Sequence, residues 1–553
     1  MDRNIRKLTS MGTMEASVDG ICSEDFAERV RINQSRLLSE MKSHYDFIIC
    51  GSGSSGSVVA RRLAENPEVS VLLIEAGGED NVPSVNEPGQ WFLNLGSERD
   101  WNFRAEPSSH LNGRVIPMNM GKVLGGGSSI NVMAWMRGHR NDWDFFAAEA
   151  GDPAWSYESI LSIYRRIEDW RGAPDPDRRG VGGPVFVQPA PDPHPIASAT
   201  LEAARSVGIP TFDSPNGRMM EGEGGCSVMD LLIRNGRRRS VFRAYTFPYM
   251  DRPNLTVLTQ TQVIKVTFAG SRATGVELVY EGKHFRIGAG REIVLSLGAI
   301  NTPKVLMHSG IGDQSALRSF GIPVVQHLPG VGQNFQDHAG IGCLWEHPEF
   351  PPPRNNAAEV TFFWKSHSSL ETPDLQTCQG EIPIPSIETG AQFAPPAKSW
   401  TMLAGVVRPK SRGRVYLSGP YLDDPVRIET NLLSHPDDIK AALACVELCR
   451  EIGNSQALHP FARREVMPGN LKGLELQTFI RDGAISYWHQ SGTARMGRDA
   501  MSVVDGELRV YGLKNLRIAD ASIMPRVTTG NTMAPCVVIG ERAAEMLKIA
   551  HRT

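Results

Sequence analysis

The sequence predicts an α/β protein with a Rossmann-like dinucleotide-binding unit and a second region built on an antiparallel sheet. Three observations carry that prediction. The first is Gly51-Ser52-Gly53-Ser54-Ser55-Gly56. It lies between the apolar run Phe47-Ile48-Ile49-Cys50 and a segment of helical periodicity (Val58, Val59, Leu63, Ala64). That order is strand, tight turn and helix. The second is Glu75, 24 residues after Gly51, at the end of another apolar run, Val71-Leu72-Leu73-Ile74. A carboxylate there can take the ribose hydroxyls of an adenosine. The glycines let backbone reach a pyrophosphate, and the helix N-terminus offers it unpaired N–H groups. The third is a change of texture after Pro329. Residues 340–430 alternate aromatic and polar side chains among many prolines, the pattern of antiparallel strands with long loops.

The remaining elements follow in order. Residues 1–44 carry seven basic and seven acidic side chains, unlike an acid-poor transit peptide. Ser23 can cap a helix with Phe26, Val30, Leu37 and Met41 on one face. A loop rich in Gly, Pro and Asn runs from Ala76 to about Lys122. Residues 171–195, dense in Gly, Pro and Asp, read as surface loop. Strand-like runs come at 255–258, 263–268, 275–280 and 293–297, and helices at 436–453 and 474–482. The last stretch returns to the first texture: Leu516-Arg517-Ile518-Ala519-Asp520, a glycine-bearing turn, then a helix from Ala534 to Ile549.

The chain has 553 residues, 41% of them hydrophobic and 22% charged, enough for two or three domains. A formal net charge of −3 gives no reason to expect nucleic acid or a membrane surface as partner. No run approaches the length of a membrane span, so none is expected. The start leads into no apolar stretch, so no secretory signal is expected, and the eight scattered cysteines suit a reducing compartment. A cytoplasmic location is the expectation. Cys445 and Cys449 read as one buried helix face. No His or Cys cluster has ligand spacing, so no metal is expected.

A second glycine block runs Gly121-Lys122-Val123-Leu124-Gly125-Gly126-Gly127-Ser128-Ser129-Ile130-Asn131. Three successive glycines allow close backbone approach to a large ligand. With it, four segments carry a resemblance. They are Gly51 to Gly78; Gly121 to Asn131; Gly298-Ala299-Ile300-Asn301-Thr302-Pro303 with Ser309-Gly310-Ile311-Gly312; and a C-terminal set. That set is His489-Gln490-Ser491-Gly492-Thr493, Met496-Gly497, Asp520 to Pro525 and Gly530-Asn531-Thr532-Met533. From Tyr45 to Leu547 the chain resembles the glucose–methanol–choline (GMC) family of flavin oxidoreductases.

The resemblance implies a fold. It is a doubly wound FAD domain built from separated segments, 45–195, 250–335 and 485–553. A substrate domain, 196–249 and 336–484, carries a mostly antiparallel sheet with helices, and 1–44 is an extension. It also implies that FAD meets Gly51, Gly53, Ser54, Ser55, Gly56, Glu75 and Ala76. Further implied contacts are Gly121, Val123, Gly126, Gly127, Ser128, Asn131, Val132, Met133 and Ala134. The last are Val263, Gly298, Asp520, Ala521, Asn531, Thr532 and Met533. Some members tether the flavin through a His in the second glycine block. The matching residue here is Ile130, which has no nucleophile, so non-covalent FAD is expected.

His489 matches the family position that faces the flavin and acts on the substrate hydroxyl. Alcohol oxidation removes a proton from oxygen and a hydride from carbon, and an imidazole titrating near neutrality suits the first step. Asn531 matches a position that is His or Asn among members. An amide can donate a hydrogen bond to the developing alkoxide without competing as a base. Trp488, Phe363 and Phe393 are the expected substrate-pocket residues, with Tyr487, Phe362 and Trp364 nearby in sequence. The expected reaction is oxidation of a primary alcohol, aromatic or heteroaromatic, to the aldehyde, with oxygen or another acceptor taking the electrons. Two alternatives stay open: a choline-like or aliphatic alcohol dehydrogenase, and an FAD-containing hydroxynitrile lyase. A quaternary ammonium would want an acid, and Glu359 and Glu381 are candidates. Arg237-Arg238-Arg239 reads as a solvated loop and Asp337-His338 as structural.

Overall fold

The apolar runs pair side by side. In the computed structural model, which describes residues 24–349 and 352–553, His44–Cys50 lies within a seven-stranded sheet. Val71–Ile74 pairs parallel to one side of it, and Leu255–Leu258 pairs parallel beyond that. Lys283–Leu295 pairs parallel on the other side and in turn receives Leu516–Ile518. These parallel strands are buried on both faces, which is why they read as continuous apolar runs. The first half of Lys283–Leu295 pairs antiparallel with Arg272–Tyr280, and that strand with Thr261–Ala269.

The free edge, Leu255–Leu258, is covered. Helix Glu24–Ser39 buries Phe26, Val30 and Leu37. Its Gln34 Nε2 donates to the Leu255 carbonyl at 2.9 Å and its Oε1 accepts from Val257 N at 2.9 Å. A side chain thus occupies backbone groups that would otherwise invite another strand. Met41, expected on the same face, lies beyond the helix end and is exposed. The expected cap, Ser23, lies outside the described residues.

A second seven-stranded sheet is antiparallel throughout. Its order is Gly225–Val228, Ala358–Trp364, Leu375–Gly380, Ser399–Val406, Ala339–Glu346, Arg464–Met467, with Ala484–Ser486 also pairing Ala339–Glu346. Helix Pro436–Gly453 packs on it through Cys445 and Cys449, whose Sγ atoms lie 3.6 and 3.3 Å from Thr377 Oγ1. The stretch 171–195 is not all loop. Val185–Pro189 forms a strand parallel to Glu168–Trp170, because alternate residues Val185 and Val187 find core to bury in. No helix among the described residues is long and apolar enough to cross a membrane.

Helix Ser54–Ala64 leaves the first glycine turn, and the last helix, Met533–His551, lies directly against it. Gly540 is the contact. A Cβ there would sit 2.7 Å from the Ser55 carbonyl oxygen and 2.8 Å from Val58 Cβ. Gly540→Val should therefore cost about 1–3 kcal/mol through overpacking, read as a lowered thermal midpoint. An unchanged midpoint would show that the two helices are not in close contact.

Candidate active site

Four of the parallel strands deliver their C-terminal ends to one crevice, the usual ligand position in an open α/β sheet. Gly51 follows His44–Cys50, Glu75 follows Val71–Ile74, Gly298 follows Lys283–Leu295, and Asp520 follows Leu516–Ile518. They line a cavity enclosing about 1760 Å³, its open mouth included.

The inner part suits a dinucleotide. Gly51 has φ +98°, and a Cβ on it would lie 2.3 Å from the Ser296 carbonyl oxygen. Gly53 caps helix Ser54–Ala64 with no side-chain hydrogen bond and no acid in the first turn. Thr532 begins helix Met533–His551 in the same way. Both N-termini keep N–H groups for an anion. The two glycine blocks touch: a Cβ on Gly126 would lie 2.8 Å from Gly53 Cα. Glu75 Oε2 accepts from Ser52 N and Oγ at 3.1 and 2.6 Å, and Oε1 from Gly77 N at 2.8 Å. Burial raises its carboxyl above the ordinary range against those bonds. Asp520 Oδ2 accepts from Gly298 N at 2.9 Å and Thr302 Oγ1 at 2.6 Å, tying the third and fourth segments together.

Most of the predicted cofactor residues line this cavity: Gly51, Gly53, Ser54, Ser55, Glu75, Ala76, Gly121, Gly126, Gly127, Ser128, Asn131, Val132, Ala134, Gly298, Asp520, Ala521, Asn531, Thr532 and Met533. Val263 lines a small adjoining cavity that shares Ala76 and Trp101. Gly56, Val123 and Met133 stand behind the wall. A Cβ on Gly56 would lie 1.9 Å from the Gly51 carbonyl oxygen, so its role is to let the helix close on the turn. Val123 is buried and bridges Gly78. Met133 N donates to Asn131 Oδ1 at 2.9 Å. Arg238 is not solvated as its run suggested. It is buried, donates to the Val85 carbonyl at 2.7 Å, the Ser128 carbonyl at 3.2 Å and Asn131 Oδ1 at 2.9 Å, and burial lowers it to about 9.

His489 and Asn531 line the same cavity. His489 N donates to Asp337 Oδ1 at 2.9 Å, and its Nδ1 lies 2.8 Å from His338 Nδ1. Its ring stacks on Tyr487 with centroids 5.4 Å apart. Asp337-His338, expected to be structural only, thus grips the candidate base by backbone and ring. Burial, then the neighbouring His338, lowers His489 well below the ordinary imidazole value of 6.5, rather than leaving it near neutrality. Burial likewise lowers His338 to about 3 and raises Asp337 to about 7. Asn531 follows Gly530 (φ +102°), and its Oδ1 accepts from Gln376 Nε2 at 3.0 Å. The Asn531 NH₂ group is left for the cavity.

The predicted pocket aromatics divide. Trp488 lines the cavity at φ +62°, a strained conformation for a bulky residue. Its Nε1 donates to Asn119 Oδ1 at 3.0 Å. Phe363 and Phe393 do not line it. Phe363 sits under the Asn531 turn, where a Cβ on Gly530 would lie 2.9 Å from its Cζ. Phe393 packs edge-on against Phe479 at 5.6 Å. Their places are taken by Trp91, Leu95, Trp101, Ile384, Leu403 and Tyr487, several of which the sequence reading missed. Two tryptophans in a Gly-, Pro- and Asn-rich loop were the available signal. Trp91 meets Trp488 edge-to-face at 6.3 Å.

Neither Glu359 nor Glu381 lines the cavity. Glu359 Oε2 accepts from His194 N at 2.5 Å, and Glu381 Oε2 from Arg354 N at 2.6 Å. Burial and the adjacent Glu359 push Glu381 well above the ordinary carboxylate range.

Fold and cavity together define a dinucleotide-dependent oxidoreductase. Family descriptions for GMC oxidoreductase match residues 45–340 and 409–540. Oxygen-dependent choline dehydrogenase of Brucella anthropi is 36% identical, covering 90% of this chain and 95% of its own. Mitochondrial choline dehydrogenase of Homo sapiens is 37% identical, covering 92% of this chain and 91% of its own. The crystal structure of pyridoxine 4-oxidase from Mesorbium loti superposes with TM-score 0.87 at 32% identity, covering 92% of this chain and all of that one. The chain belongs to the GMC oxidoreductase family, FAD-dependent enzymes acting on CH–OH donors.

The buried acid pair sets a pH test. A raised folded pKa means that the stability from the Glu381 proton is complete below the unfolded value and is lost as pH rises. Glu381→Gln cannot lose that proton. Its thermal midpoint should fall less than wild type's between pH 5 and pH 9. Equal slopes would show that the pair holds no proton.

Proposed function

We propose that this enzyme oxidises an aromatic or heteroaromatic primary alcohol to its aldehyde, with FAD held non-covalently. The observation that carries the reading is the composition of the reacting end. Tyr487 stacks on His489, Trp91 meets Trp488, and Ile384 and Leu403 line the same cavity as His489 and Asn531. The acids that line the cavity, Glu75 and Asp520, are bound to backbone N–H groups at its inner end. A flat, uncharged substrate buries its ring against such walls. The choline dehydrogenase relatives favour a second reading, a quaternary ammonium alcohol held by cation–π contact, but among the described residues Glu75 and Asp520 are the acids that line the cavity, and both are bound to backbone N–H groups.

In this reading His489 accepts the hydroxyl proton, and Asn531 donates a hydrogen bond to the same oxygen as its charge develops. Bound FAD supplies the hydride acceptor. Gln376 keeps the Asn531 amide turned so that its donor, not its acceptor, meets the oxygen. The aromatic wall excludes water and orients the carbinol carbon. Ile130 lines the cavity where a tether would attach and offers only alkyl carbon. A lyase would leave the flavin oxidised when the alcohol is added without oxygen, so bleaching separates the two readings.

Two experiments test the reading. Acid denaturation should release yellow FAD into the supernatant; flavin precipitating with the protein would mean another attachment residue. Anaerobic stopped-flow with benzyl alcohol and with choline should show flavin bleaching that is faster with the aromatic alcohol. His489→Ala should lose about 10²–10⁴-fold in that rate, and Asn531→Ala about 10- to 1000-fold. The wild-type rate should hold constant as pH falls through 6.5 and drop only below it, because the imidazole is protonated only well below that value. A His489→Ala rate near wild type would place the base elsewhere.

A further inference from the structure

Two neutral imidazoles joined Nδ1 to Nδ1 share one hydrogen, and only one ring can own it. His489 and His338 are joined this way at 2.8 Å. If His338 is the donor, His489 carries its hydrogen on Nε2. It then presents an N–H to the cavity and cannot take a proton there. If His489 is the donor, its Nε2 is a bare lone pair.

The role read for His489 decides between them. A base needs that lone pair, so His489 is the donor and His338 Nδ1 the acceptor. His338 Nε2 is buried and has no hydrogen-bond partner among the described residues. The two rings are also held in line by backbone. Ala339 pairs with Ser486 between their strands, and Tyr487 N donates to the His338 carbonyl at 3.0 Å. Asp337, one residue earlier, accepts from His489 N and from Ser486 Oγ. The segments 337–339 and 486–489 are thus bonded at four points before the rings meet.

We propose that His338 is a positioning residue that sets the tautomer of His489, keeping its hydrogen on Nδ1 so that Nε2 faces the cavity as the proton acceptor. The proposal rests on the reading of His489 as the base. The alcohol O–H bond breaks and its proton goes to His489 Nε2. The resulting imidazolium still donates Nδ1–H to His338, so no second proton moves. A carboxylate in place of His338 would also orient the ring, but it would raise the basicity of His489. A neutral imidazole orients it without doing so. The titratable groups packed around the pair are Asp337 and Tyr487, on the two segments that carry the rings.

The test is the tautomer itself. Holoenzyme carrying ¹⁵N-histidine, with the His489 signals assigned by their loss in His489→Gln, should show a protonated Nδ1 and an unprotonated Nε2. In His338→Leu the acceptor is gone, and the limiting rate of flavin reduction by benzyl alcohol should fall about 10–100-fold, the usual scale for removing an orienting partner. The concentration giving half that rate should change less than twofold. His338→Gln, whose side-chain oxygen can still accept, should recover most of the rate. A protonated Nε2 in wild type would overturn the proposal, and so would equal losses in the Leu and Gln variants. These results separate from failure of the base itself, which His489→Ala reports independently.

Discussion

The strand Lys283–Leu295 is the seam on which the molecule depends. Its last residues pair with His44–Cys50 on one side and Leu516–Ile518 on the other, joining pieces of chain more than two hundred residues apart. Because those pairings are parallel, each strand ends at the same edge of the sheet. The first glycine turn, the Gly298 helix and Asp520 therefore meet without any loop having to reach. The Asp520 bonds to Gly298 N and Thr302 Oγ1 then lock the junction. The last helix can lie against the first only because the seam has already brought their starts together, and Gly540 removes the one side chain in the way.

At the other end of the cavity, the controlling quantity is burial of neutral groups. His489, His338, Asn531 and Gln376 are all buried, and burial penalises the charged form of each imidazole. A base that is neutral over the working range is always ready to accept a proton, at the cost of a weaker thermodynamic pull on it. In the proposed reaction, a hydrogen bond from Asn531 to the alkoxide offsets that cost by lowering the energy of the other product of the same step. The two side chains are complementary for this reason. Asp337, the buried carboxyl group bonded to His489 N, is raised to about 7 by burial, and Glu359 and Glu381 bind backbone elsewhere.

Much of this was legible in the sequence, for reasons that are local. Strand and helix periodicity, the glycine turns, Glu75 and the order of elements depend on residues a few positions apart. So did the placing of His489 and Asn531, through the motifs around them. What was not legible depends on register between distant strands. Phe363 and Ala358 are on one strand, yet only Ala358 lines the cavity, and no pattern within that strand says which. His338 meets His489 only because Ala339 pairs with Ser486 and not with a neighbour. Arg238 looked like part of a solvated run because a chain of three arginines is usually one. Its burial comes from the Val85, Ser128 and Asn131 acceptors that three separate segments bring to it.

The strained backbone of Trp488 joins these two ends of the argument. A tryptophan at φ +62° costs on the order of 1–3 kcal/mol, so something must over-determine it. Its N–H donates to Ser486 Oγ at 2.9 Å and its indole N–H to Asn119, while His489 next to it is fixed by Asp337. The left-handed turn lets adjacent residues both face the cavity, which an extended strand forbids because successive side chains alternate. An aromatic wall and a base side by side are the result. In the proposed reaction, the strain is thus the structural condition for placing a substrate ring against Trp488 with its hydroxyl within reach of His489.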